Sequence, residues 1–142
     1  METMMESCLV SCIEQLHKHG SVIPLAFIGH GEKMTTVLMD LSDKESAVQA
    51  LRKICEENKV EEAIFMCEAY VSRDLTVISL NKAADRQEAI IVQGEDTNGK
   101  SCAIIQPFHR TKKGEILLEK TKKHLSSSPF FLISGILTKQ VH

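Results

Sequence analysis

The 142-residue sequence has no tryptophan, a single tyrosine, three prolines and seven glycines. So few prolines and glycines, in no repeating pattern, exclude a collagen-like or low-complexity chain. Aromatic residues make up only 4% of the total, which leaves few platforms for stacking nucleic-acid bases. No apolar run approaches the ~18 residues that span a bilayer. The run Met1, Glu2, Thr3, Met4, Met5, Glu6 lacks the basic and apolar regions of a secretory signal. A membrane-embedded or secreted protein is therefore not expected.

What is present is 43% hydrophobic and 25% charged residues with a formal net charge of -2, the balance of an ordinary folded domain. A chain of this length buries about two-thirds of its unfolded surface, so it needs no disulfide or metal to fold. Five cysteines, Cys8, Cys12, Cys55, Cys67 and Cys102, are an odd number at unrelated spacings, mostly among apolar neighbours. In such settings cysteine behaves as a small hydrophobe. A reducing, cytoplasmic location follows, and with no linker or internal repeat a single domain over residues 1–142 is expected.

Periodicity divides the chain into elements. Met5, Leu9, Cys12, Ile13 and Leu16 recur at three- and four-residue steps, which predicts a helix to Lys18 with Gly20 as its C-terminal cap. Val22 to Ile28, interrupted by Pro24, and Lys33 to Asp40 predict a hairpin turning at Gly29, His30 and Gly31, with the first strand at a sheet edge. Ser42 and Glu45 form a capping-box pattern before the stripe Ala47, Val48, Leu51, Ile54 and Cys55, so a second helix runs to about Asn58.

Glu62 to Val71 alternates as a strand whose two faces are both apolar at one end. One of those faces turns polar at Glu68 and Tyr70. Residues 72–86 lack periodicity, although Leu75 to Leu80 can pack as a short edge strand. Glu88 to Glu95 and Lys100 to Phe108 flank Asp96, Thr97, Asn98 and Gly99, a hairpin signal resting on the Asn-Gly pair. A further strand is expected over Glu115 to Lys120, and Pro129 to Leu137 forms an apolar tail that can dock on the body.

The expected fold is α+β: a mainly antiparallel sheet of five or six strands with two amphipathic helices packed on one face. Ile90 to Val92 and Ala103 to Ile105 run apolar on both strand faces, as when both sides of a sheet are covered. With two helices on one side, the other needs a roof. Self-association of a homodimer through the sheet is the preferred covering, the tail being the alternative.

Charge is uneven. Residues 1–99 hold nine Lys and Arg against seventeen Asp and Glu, whereas residues 100–142 hold eight against two. The basic residues Arg110, Lys112, Lys113, Lys120, Lys122 and Lys123 are read first as complementing the acidic helices, within one chain or across a dimer. A nucleic-acid partner is disfavoured by the pI of about 6.3 and by the lack of any helix-turn-helix, RNA-recognition or zinc-finger pattern.

Catalytic signatures are missing too. There is no Gly-x-Ser-x-Gly elbow, phosphate loop or dinucleotide fingerprint, and Gly29-His30-Gly31 is too short to stand for one. Cys8 and Cys12 share a helix face with His17 and His19 following, yet no second ligand pair completes a metal site, and no cofactor is implied. Cys67 and Cys102 lie in apolar strands, which suits packing better than nucleophilic chemistry.

The leading expectation is a non-enzymatic interaction domain acting as a homodimer, with another protein as the further partner class. The alternative is a small-molecule binding or hydrolytic protein. Its polar pocket would draw on Glu68, Tyr70, Arg73, Arg86, Glu88 and His109, where the polar end of the middle strand meets the long connection.

Overall fold

A computed structural model describes residues 1–30, 32–75 and 77–124. The order is α1 (Glu2–His19), β1 (Leu25–His30), β2 (Lys33–Leu38), α2 (Lys44–Glu57), β3 (Glu62–Ser72), β4 (Ile78–Ser79), β5 (Arg86–Asp96), β6 (Ser101–Arg110), β7 (Ile116–Leu118) and β8 (Lys122–His124). The strands form one antiparallel sheet in the order β2-β1-β3-β5-β6-β7, with β4 on β3 and β8 on β6. The fold is α+β with an antiparallel sheet, as the periodicity implied.

The helices do not share a face. Met5, Cys8, Cys12 and Leu16 of α1 pack with Ile64, Met66, Ile90, Val92, Cys102, Ile104 and Phe108. Leu51 and Cys55 of α2 pack with Ala26, Ile28, Ala63, Phe65, Cys67, Ile91 and Ile105. Successive strand residues point to opposite sides, so these interleaved sets are the two faces of the sheet. The expectation of two helices on one face is corrected. Each helix takes one apolar row, helped on the α2 side by Leu75, Ile78 and Leu80. Both rows of β5, from Ala89 to Val92, are buried within one chain. The need for a second copy to cover a bare face therefore disappears.

Local details also differ. Pro24 precedes β1 rather than interrupting it, and its carbonyl accepts from the Met39 N–H at 3.0 Å. β1 lies between β2 and β3, so the edge strand is β2. Gly29 and His30 are strand residues, not turn, and Gly31 lies outside the described residues. The second helix is capped one residue later than expected. Asp43 Oδ1 accepts from the Ser46 N–H at 3.2 Å, while Ser42 donates to Asp40. Asp43 is the better acceptor because its carboxylate also takes the Ser46 hydroxyl, at 2.8 Å.

Gly20 ends α1 at φ 76°, its N–H donating to the Leu16 carbonyl at 2.9 Å, as the C-cap reading required. The hairpin at Asp96–Gly99 forms with Gly99 at φ 85° and the Asp96 side chain accepting from Asn98 and Lys100 N–H groups. The short edge strand in Leu75–Leu80 is β4. The tail Pro129–Leu137 lies outside the described residues.

The acidic and basic parts of the chain meet as ion pairs within one molecule. Lys123 pairs with Glu6 at 2.7 Å and Lys100 with Glu2 at 3.0 Å, so part of the basic C-terminal third neutralises α1. Among the described residues no helix is long and apolar enough to cross a membrane.

Candidate functional site

β5 and β6 are paired from Glu95↔Ser101 to Ala89↔Pro107 and no further. Pro107 has no N–H to give to a ladder. Beyond it β6 passes to β7 through Phe108↔Leu118, and the start of β5 and the end of β6 separate. The opening is a cleft of about 690 Å³ lined by Tyr70, Arg73, Lys82, Ala84, Arg86, Gln87, Glu88, Phe108, His109, Arg110 and Glu119. Five of the six residues singled out from the sequence, Tyr70, Arg73, Arg86, Glu88 and His109, line it. Glu68 stands just outside that lining.

Register explains how Glu68 joins the group. Tyr70 pairs with Glu88 and Glu68 with Ile90, so the two carboxylates are diagonal neighbours on one sheet face. Left alone they would repel. Arg110 sits between them, its Nη2 3.6 Å from Glu68 Oε2 and its Nε 3.1 Å from Glu88 Oε2. The same guanidinium lies 5.4 Å from the Phe108 ring centre. A Cβ placed on Gly20 would be 3.9 Å from Arg110 Nη1, so the cation also lies close to the negative C-terminal end of α1. Glu68 accepts a hydrogen bond from the Val22 N–H as well. Burial raises the Glu68 pKa above the usual carboxylate value, with Glu88 adding to the shift while the Val22 bond and Arg110 oppose it.

A second cluster forms the other wall. Glu119 accepts from Gln87 Nε2 at 2.7 Å and lies 3.4 Å from His109 Nδ1. Gln87 and His109 alternate with Glu88 and Arg110 along their strands, so the cleft is lined from both sheet faces.

Arg110, rather than Arg73 or Arg86, balances Glu68 and Glu88. Arg86 Nη1 donates instead to the Asn81 carbonyl at 2.9 Å, holding the connection before β5. Among the described residues Arg73, Lys82 and Arg86 have no carboxylate partner. Both carboxylates of the cleft are engaged, so positive charge is left over.

The cysteines are chemically quiet. All five are free and buried, and burial pushes Cys8 and Cys55 up to about 11 and Cys12 to about 12, raising Cys67 and Cys102 as well. The Cys12 thiol points at Met66 Sδ, 3.2 Å away, and that of Cys102 at Met5 Sδ, 3.1 Å away, both inside the α1 core. Among the described residues no three His, Cys, Asp or Glu side chains gather as a metal site.

Sequence reasoning missed Arg110, Lys82 and Glu119 as members of the cleft. A signal for Arg110 existed. Pairing counted outward from the Asp96–Gly99 turn sets Pro107 beside Ala89, and the next residues of β6 then run past Glu88. Set against protein-family models, curated proteins and solved structures, the chain matches none.

Proposed function

We propose that the protein is a non-enzymatic, cytoplasmic binding domain whose cleft between β5 and β6 takes a small anionic ligand. The observation that carries this reading is the imbalance of charge in the cleft. Arg73, Lys82 and Arg86 face it without a carboxylate partner, whereas Glu88 is engaged by Arg110 and Glu119 by His109 and Gln87. Guanidinium groups offer paired N–H donors that match carboxylate or phosphate oxygens. Tyr70 adds a hydroxyl able to donate or accept. The raised thiols of the core support binding over cysteine chemistry, and the five free cysteines support a reducing location.

Titration calorimetry with inorganic pyrophosphate and with citrate at low ionic strength tests this reading. Binding of at least one is expected, weakening as salt is added because the cleft is open to solvent. Arg73→Gln and Arg86→Gln should each weaken it roughly tenfold, the worth of one charge-assisted hydrogen bond. Absence of binding by both anions, or binding unchanged in the double variant, rejects the proposal.

A further inference from the structure

The sheet ends at β2, and this edge is unusually open. Its six residues Lys33–Leu38 pair with β1 alone, and all but Val37 are exposed. An edge strand presents unpaired N–H and C=O groups, which proteins ordinarily blunt with proline, bulges or inward charges. Lys33 is the one charge in β2, at its first position, and the strand has no proline.

One face of the edge is also apolar. Met34, Thr36 and Leu38 lie opposite Gly29, Phe27 and Leu25, and Phe27 and Leu25 pack on the α1 side of the core. Met34, Thr36 and Leu38 are therefore on that side too. Met34 lies across Gly29, since a Cβ there would sit 2.1 Å from its sulfur. The helix itself packs over β3, β5 and β6, so this outer strip stays in water. Leu38 is 72% exposed and Met34 39%, with Ile23 at 55%.

The strand is complementary to itself. Two copies related by a two-fold axis normal to the sheet must place some residue opposite its own counterpart, because hydrogen-bonded and non-bonded pairs alternate along an antiparallel ladder. Centred on Thr36, the register sets Thr36 against Thr36 and Thr35 against Val37. It also sets Met34 against Leu38 twice, joining the two exposed apolar side chains. Threonine pairs and apolar pairs across strands are both favourable. Centred on Thr35, the same strand would set Leu38 against Glu32. Centred on Lys33, two lysines would meet.

We infer that a second copy of this chain adds to β2, antiparallel and centred on Thr36, so that one sheet runs through the dimer. This self-association uses the sheet edge and leaves the covered faces alone. It is independent of the anion cleft, from which β1 separates it.

A charge-swap experiment tests it. Sedimentation of the full chain at roughly 100 µM, where even weak dimers populate, should give twice the monomer mass. Thr36→Lys and Thr36→Glu should each weaken association at least ~10-fold by bringing like charges together at the axis, and an equimolar mixture of the two should restore a dimer. Circular dichroism and the thermal midpoint of each variant, measured dilute enough that the parent is monomeric, should match the parent, since Thr36 is exposed in the single chain. A parent that stays monomeric overturns the inference, as does a mixture that associates no better than either variant alone. Unchanged dimers in both variants would move the interface elsewhere and overturn it equally.

Discussion

The two helices differ in where their stability originates. α1 has no side-chain hydrogen bond at its N-terminus, yet it buries Met5, Cys8, Cys12 and Leu16 against three strands. α2 has a well-made Asp43 cap and sharply separated apolar and polar sides, yet buries only Leu51 and Cys55. The clearer local signal thus belongs to the helix with less tertiary contact. Short helices in water owe most of their stability to packing. Capping and periodicity locate a helix; burial decides how firmly it is held.

Large-to-small substitutions are the strongest way to sharpen that contrast. Leu16→Ala empties a fully buried site between α1 and the sheet and should cost about 3 kcal/mol in denaturant unfolding. Leu51→Ala should cost less, about 2 kcal/mol, because α2 is anchored by fewer buried residues and can settle into the space. An equal or reversed order would mean that α2 is as tightly fixed as α1. Native-state hydrogen exchange reads the same difference without substitution. Amides of α2 should open roughly tenfold or more often than those of α1, as less buried apolar surface resists local unfolding. Equal protection would remove the distinction.

The helix ends provide a subtler comparison. Gly20 holds φ 76°, so Gly20→Ala should destabilise α1 by about 1 kcal/mol through backbone strain alone. A Cβ there meets nothing closer than 3.9 Å, so crowding does not add to it. Asp43→Ala should lower the melting midpoint by a smaller amount, the cap being exposed and replaceable by water.

The elements were largely legible in the sequence, because turn chemistry and periodicity act locally. Gly20, Asn98-Gly99 and the stripes of both helices each specify their own neighbourhood. Which side of the sheet a helix covers is not local. An apolar stripe says that a helix has one face to bury, and only strand register says which row of β3 will meet it. The doubly apolar runs Ile90–Val92 and Ala103–Ile105 were the available signal, since two rows and two helices can be matched one to one.

The candidate site was legible for a similar reason and to a similar limit. Polar residues appearing on an apolar strand face, Glu68 and Tyr70, marked the place. The cation beside Glu68 comes from β6, which is hydrogen-bonded to β5 and not to β3, and the Arg110, Lys112, Lys113 run reads as a solvated stretch. Lys82 and Glu119 reach the cleft from the connection before β5 and from just past β7, positions that no periodicity specifies.

The smallest expected effect distinguishes the polar end of the sheet from its apolar middle by pH. Glu68 has a raised pKa in the folded protein, chiefly from burial, so the folded state holds its proton to higher pH than the unfolded chain does. Between the unfolded and folded values the native state carries more bound protons. The contribution of Glu68 to stability is therefore greatest below the unfolded carboxylate pKa and declines as pH rises through the folded one. Glu68→Gln removes that slope while keeping an acceptor for the Val22 N–H, so the variant's stability should gain on the parent's as pH rises through this window. Chemical denaturation of both proteins at a series of pH values checks it. A parent that instead gains on the variant over the same range would mean that Arg110 and Val22 outweigh burial at this carboxylate.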